Sequence, residues 1–241
     1  MINYEQLKTK PKDFLSVTGL TLDEFASLVS TFAQVYDEQT AAVTFEGQPR
    51  QRQAGGGVKG KLASIENKLL FILLYEKTYP LQTLQGLSFE LSQPQTNAWI
   101  QRLLPVLQTT LTRLGLTPER EGQAFAASAV FQTRAAALVL DGTERRRQRP
   151  QDNALQGEYY SGKKKAHTDK NVLIVDEQTG EVLYLSATEV GKTHDKKLAD
   201  EAQITYPNAA TVGKDTGFQG YEPPNVLTFQ PKKTERPRFN V

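Results

Sequence analysis

The hydrophobic period of this chain changes once, near Gly122, and that change limits the folds open to it. Before it, apolar residues recur at helical spacing. Leu22, Phe25, Leu28, Val29, Phe32, Val35 and Tyr36 follow the capping-box sequence Thr21-Leu-Asp-Glu24, so a helix opens there and ends near Gln39. Residues 65–77 are a second, strongly apolar helix that Pro80 breaks. Residues 82–89 suffice for a short helix. Ser92, with Pro94 in the first turn, caps another whose buried stripe is Trp99, Ile100, Leu103, Leu104 and Leu107. After Gly122 the apolar runs are short. Residues 135–140 read as a buried strand, and 170–177 and 181–186 as a hairpin about the turn Gln178-Thr179-Gly180. A helix starts at Thr193 or His194, and residues 209–213 lead as a further strand into Lys214-Asp215. The expected class is α/β, an all-helical N-terminal region followed by a mixed sheet. The expected divisions are a helical region over 1–45, a flexible linker over 46–62 with three consecutive glycines, a helix-turn-helix region over 63–122 and the sheet domain over 130–241.

Composition removes several classes of function. No run of apolar residues is long enough to span a membrane, and the opening MINYEQLKTKPKDF lacks a secretory signal's apolar core. There is no cysteine, which excludes disulfides and thiolate metal sites and fits a cytoplasmic protein. His167 and His194 are the only histidines, so a bound metal would need oxygen ligands, as Mg2+ and Mn2+ prefer. The net charge of +2 says little about nucleic acid. Its distribution says more, because the basic groups clump at Arg145, Arg146, Arg147 and Arg149, and again at Lys163, Lys164 and Lys165. Such clumps suit a face that grips phosphates, or simply a solvated basic surface.

Two arrangements carry chemistry. Two short helices joined by a tight turn after a longer one have the helix-turn-helix pattern, with residues 92–104 as the reading helix. Gln93, Gln95 and Asn97 at its start, with Arg102 further along, are base-reading side-chain types. The alternative is a helical bundle whose polar face holds amides. Asp141 closes the first expected strand and Asp215 follows the last. If those strands are neighbours, both carboxylates leave the sheet at one end, where they can hold divalent ions. Gly217 and Gly220 then permit a tight turn after Asp215.

The stretches DGTERRRQRP, YSGKKKAHTDKNVLIVD, GKTHDKK and KDTGFQGY resemble, in order and spacing, the catalytic domain of DDE-class insertion-sequence transposases of the insertion-sequence-five type. The resemblance covers roughly residues 16–231. It implies a ribonuclease H-like fold, divalent-metal DNA strand cleavage and transfer at element ends, and a homo-oligomer on DNA. On it Asp141 and Asp215 are the first and second catalytic carboxylates. Tyr160, Ser161, Gly162 and Lys163 match the block before the second strand. His194, a possible auxiliary residue, and Asp195 match the block at the following helix, where Asp195 also suits the helix dipole. The family's third ligand is a glutamate on a later helix. Here Glu222 lies too close to Asp215, and Glu235 sits in KKTERPRFNV, which lacks a helical pattern. The expectation is therefore an incomplete, truncated or frameshifted transposase. The alternative is a non-catalytic DNA-binding protein that occupies element ends and inhibits the full enzyme.

Overall fold

A computed structural model describes residues 1–44, 48–51, 60–128, 131 and 137–231. Most of the expected linker, the start of the first expected strand and Glu235 lie outside them. The chain divides into two compact units, residues 1–116 and 117–241.

The first unit is helical: α1 (Tyr4–Leu7), α2 (Pro11–Thr18), α3 (Leu22–Ala42), α4 (Ile65–Thr78), α5 (Gln82–Phe89) and α6 (Gln93–Arg113). Thr21 and Glu24 form the expected capping box, and Ser64 caps α4. The backbone at Tyr79 turns left-handed just before Pro80, which ends α4. Residues 69–74 of α4 are all buried, which explains a helix apolar on every side: α2, α3 and α6 all pack against it. Phe14, Phe25, Phe32, Phe71 and Phe89 fill the core, and half-buried Trp99 packs against it as expected. Lys68 is buried in this unit. Its ammonium donates to the Ala63 carbonyl at 3.0 Å and lies 5.0 Å from the Tyr36 ring centre. Burial lowers its pKa. Two expectations shift and two helices are added. α3 runs to Ala42 rather than Gln39 and α6 continues through Pro105 to Arg113, while α1, capped by Asn3, and α2, opened by Pro11 and closed by Gly19, lie ahead of the first expected helix. Bidentate pairing of Arg113 with Glu38 of α3, at 3.0 and 2.6 Å, fastens that extension.

The second unit is a sheet with helices: β1 (Ala137–Arg146), α7 (Asn153–Tyr159), β2 (Tyr160–Ser161), β3 (Ala166–Asp176), β4 (Val182–Leu185), β5 (Glu189–Val190), α8 (Asp195–Glu201), β6 (Thr211–Lys214) and β7 (Leu227–Phe229). Strand β3 pairs antiparallel with β1 on one side and with β2, β5 and β4 along the other. β1 pairs parallel with β6, and β6 with β7. Alternation sets the faces. Leu138, Leu140, Val172, Ile174 and Val212 share a buried core with Leu198 and Ala199 of α8, while Val139 is 36% exposed. The expectation that Asp141 closes its strand is corrected. β1 continues to Arg146, because Asp141↔Leu173 through Arg146↔Thr168 stay paired with β3. The apolar pattern stops at Leu140 because the pairing with β6 stops there, not because the strand does.

Gly86 of α5 is buried against the start of α6. A methyl group there would fall 2.6 Å from the Leu91 carbonyl oxygen and 2.8 Å from Thr96 Oγ1. Gly86→Ala is expected to destabilise the helical unit by about 1–3 kcal/mol despite alanine's better helix propensity. Urea unfolding of the full chain, followed by the fluorescence of Trp99, measures this. An unchanged midpoint would show that the two helices can separate at no cost.

Candidate active site

The parallel register of β1 and β6 ends at Leu140↔Lys214, and the next residue on each chain segment is an aspartate. Neighbouring strands run about 4.8 Å apart, so Asp141, still within β1, and Asp215, just past β6, stand side by side where the two strands part. Both are exposed. They border a cleft of about 530 Å³, with Val139, Gly213, Phe229 and Pro231 among its other lining residues. Each carboxylate is steadied by one local backbone N–H. Gly142 donates to Asp141 Oδ1 at 2.8 Å, and Gly217 to Asp215 Oδ1 at 2.5 Å. The second bond makes Asp215 the cap of a single 3-10 turn, Thr216–Phe218. The left-handed backbone at Gly220 completes the tight turn expected there.

Lys214 points to the opposite, buried face of β6. Its ammonium donates to the Tyr221 carbonyl and to Glu222 Oε1, and Glu222 Oε2 accepts from Thr228 at 2.7 Å. Those bonds from Lys214 and Thr228 hold the Glu222 carboxyl below the usual range. Glu222 is thus committed to a structural pair.

Behind the two aspartates, on the α8 side, lies a buried charged network that the sequence pattern does not announce. The Lys170 ammonium of β3 sits 3.1 Å from Glu144 Oε1 and 3.0 Å from Asp195 Oδ1, and donates to the Thr193 carbonyl at 2.8 Å. The side chains of Lys170, Glu144 and Asp195 are only 7%, 5% and 15% exposed. Ser161 donates to Glu144 Oε2 at 2.8 Å, which gives the tyrosine–serine block a structural part. Burial pushes the Glu144 carboxyl up, but the bonds from Ser161 and Lys170 outweigh it and hold it below the usual value. All three charged residues stand inside the four motif stretches. What was missing was a reason to join residues 26 and 25 positions apart, which only the β1–β3 pairing and the placement of α8 supply.

The basic residues divide. Arg145 donates to Asn171 Oδ1 at 2.6 Å. Arg147 pairs with Asp169 at 2.9 Å and lies 3.8 Å from the Tyr159 ring centre, and Arg149 donates to Gln156. Arg146 is exposed and has no partner among the described residues. Lys163, Lys164 and Lys165 stand exposed on the turn between β2 and β3. His194 takes the N-cap position of α8, but its side chain makes no capping bond. In the helical unit, Gln95 completes a capping box with Ser92. Gln82 bonds both Gln93 and Asn97, at 2.5 and 3.0 Å. Arg102 donates to the Thr44 carbonyl at 3.2 Å. The structure therefore gathers Asp141 and Asp215, and it gives all four expected reading residues partners that the helix pattern did not reveal: Gln95 and Arg102 through the backbone, Gln93 and Asn97 through the exposed side chain of Gln82. Among the described residues no group of three or more His, Asp or Glu side chains is placed to hold one ion.

Comparison with known proteins agrees with the motifs. The family described as DDE superfamily endonuclease matches residues 140–239. Over 214 residues the chain is 22% identical to the probable transposase for insertion sequence element IS702 of Microchaete diplosiphon, a span of 89% of this chain and 72% of that protein. No solved structure matches the chain. Residues 140–239 thus match the DDE superfamily endonuclease family, and the chain as a whole is similar to a probable insertion-sequence transposase.

Proposed function

We propose that the chain is a transposase of this class that cleaves and transfers DNA strands at insertion-sequence ends with a divalent metal, Mg2+ or Mn2+. One observation carries the reading: the two motif aspartates, 74 residues apart in sequence, each follow the last residue pair between the parallel strands β1 and β6. The strand order β4–β3–β1–β6–β7, antiparallel through β1 and parallel beyond it, supports a ribonuclease H-like fold.

The donor set fits a hard cation. Asp141 and Asp215 are exposed carboxylates standing where the pairing of β1 with β6 stops, and the chain has no thiol to compete for an ion there. These two residues would hold the metal, leaving water in its remaining positions. When bound, such an ion stabilises the attacking and leaving oxygens of a phosphodiester. The chain's own work is to fix the two carboxylates through Gly142 and Gly217 N–H and to hold the DNA backbone nearby. Arg146 and the Lys163–Lys165 turn are suited to phosphate contacts. Arg145, Arg147 and Arg149 shape the surface that presents them. In the helical unit, α5, the three-residue turn 90–92 and the first turns of α6 support a helix-turn-helix reading, with Gln93 and Asn97 as readers. A second reading is a DNA-binding protein that occupies element ends without cutting. The two-carboxylate site favours it, since a third acidic ligand is lacking among the described residues.

Asp141→Asn and Asp215→Asn are each expected to abolish Mn2+-dependent nicking of supercoiled plasmid while leaving DNA retention in gel shifts intact. Mn2+ is also expected to raise the melting temperature of the native chain and not of either variant. A native chain that binds DNA but neither nicks it nor responds to Mn2+ favours the second reading.

Arg146→Gln is expected to lower the slope of log affinity against log salt by about 0.9 and to leave the melting temperature unchanged. Arg147→Gln is expected to reduce stability as well, because its guanidinium packs on Tyr159 and pairs with Asp169. An identical salt slope in Arg146→Gln would remove that residue from the DNA face.

Gln95→Ala is expected to destabilise α6 by about 1 kcal/mol by removing the capping box, without changing sequence preference. Asn97→Ala is expected to relax preference, at about 1–3 kcal/mol for each base it no longer reads. Competition binding with element-end and scrambled duplexes separates the two effects, and the assignment fails if they are reversed.

A further inference from the structure

Asp195 occupies a place that two glycines leave open for it. A Cβ on Gly142, the residue after Asp141 in β1, would fall 3.0 Å from Asp195 Oδ1. A Cβ on Gly217, in the turn that Asp215 caps, would fall 2.7 Å from Asp195 Oδ2 and 2.9 Å from Asp215 Oδ1. One carboxylate thus lies against the backbone beside each site aspartate, from the α8 side of the sheet. It cannot drift, because Lys170 holds Oδ1 at 3.0 Å and is itself tied to Glu144 of β1 and the Thr193 carbonyl. Lys170 also cancels the charge that would otherwise push Asp195 away from Asp215.

We propose that Asp195, gripped by Lys170, is the positioning residue of the two-aspartate site. Its carboxylate braces the backbone at Gly142 and Gly217 and so fixes the separation of Asp141 and Asp215. It acts through the backbone, and its bearing on strand cleavage rests on the endonuclease reading proposed for the site. The brace explains why side chains are missing at Gly142, which has no positive φ, and at Gly217, which lies in a short turn: the space belongs to the third residue. It also gives the buried Lys170 a task. A buried ion pair is weak evidence for stability, but a good means of selecting one geometry.

The test needs a readout independent of cleavage, and the absence of native cysteine provides one. In the full chain carrying Asp141→Cys and Asp215→Cys, the adjacent strands place the introduced thiols within disulfide range. Their effective concentration is measured by equilibration with glutathione. Adding Asp195→Asn, or the paired change Glu144→Gln with Lys170→Met, is expected to lower that effective concentration about tenfold or more. Circular dichroism should stay native, because the paired change removes the two most buried charges together and leaves only the 15%-exposed Asp195 without its cation, which is the loss the thiol equilibrium reads. Lys170→Arg, in place of the paired change, is expected to keep most of the native value. Without the two cysteine substitutions, Asp195→Asn is expected to cut Mn2+-dependent plasmid nicking about 100-fold while leaving plasmid binding unchanged. Equal effective concentrations with and without Asp195→Asn would overturn the brace, as would a fall in nicking with the thiol equilibrium unmoved. A native chain that never nicks, yet whose thiols separate on Asp195→Asn, would defeat the endonuclease reading and leave the brace standing.

Discussion

The pairing of β1 with β6 is the constraint from which the second unit follows. Two parallel strands cannot be joined by a hairpin, so the chain between them must cross over the sheet. Here the crossing runs from β5 through α8 to β6. It covers the face carrying Leu138, Leu140 and Val212, and Leu198 and Ala199 of α8 close over them. One connection therefore does three things. It buries the core, sets Asp141 beside Asp215, and lays the start of α8 against the glycines that flank them. Separating these outcomes would require a different topology, not a different side chain.

The energetic character of the two faces differs. On the exposed face stand the two aspartates, each holding a backbone donor close by in sequence. On the α8 face stand Leu138 and Leu140, then Gly142 and Glu144, as β1 passes from apolar packing to a buried ionic pair. That passage is costly to build, because each buried charge loses its hydration. Lys170 offsets the cost by meeting two carboxylates and a carbonyl at once. The arginines at the end of β1 have a similar double character. Arg145 and Arg147 bind back to β3 through Asn171 and Asp169, so side chains finish the edge of β1 beyond its pairing with β6.

Long-period features were legible from the sequence. The capping box at Thr21, the Ser92 cap and the whole of α5 stand where the residue pattern puts them, because local chemistry decides them. The neighbouring placement of β1 and β6 is a condition that the residue pattern leaves open and that the register meets. The end of β1 was not legible, since a strand that loses one neighbour keeps its backbone pairing while its side chains turn polar. Short elements such as α1, α7 and β7 escaped for want of enough residues to show a period. The partners of Asp195 and Gln95 escaped for opposite reasons. Asp195 finds Lys170 across the fold. Gln95 finds Ser92 only three residues away, in a role that hid behind its aptitude for reading adenine.

The alternation along β6 has a genetic corollary. Val212 and Lys214 turn inward and Asp215 follows on the outer side. Loss of a single codon within this strand would exchange the faces, carrying a carboxylate into the core and an ammonium out into the cleft. Loss of two would restore the faces but shorten the crossover. A change of length is therefore better absorbed in the turn ahead of residue 211, and a reading-frame slip that heals within a few codons is most damaging when it falls in the four that encode β6.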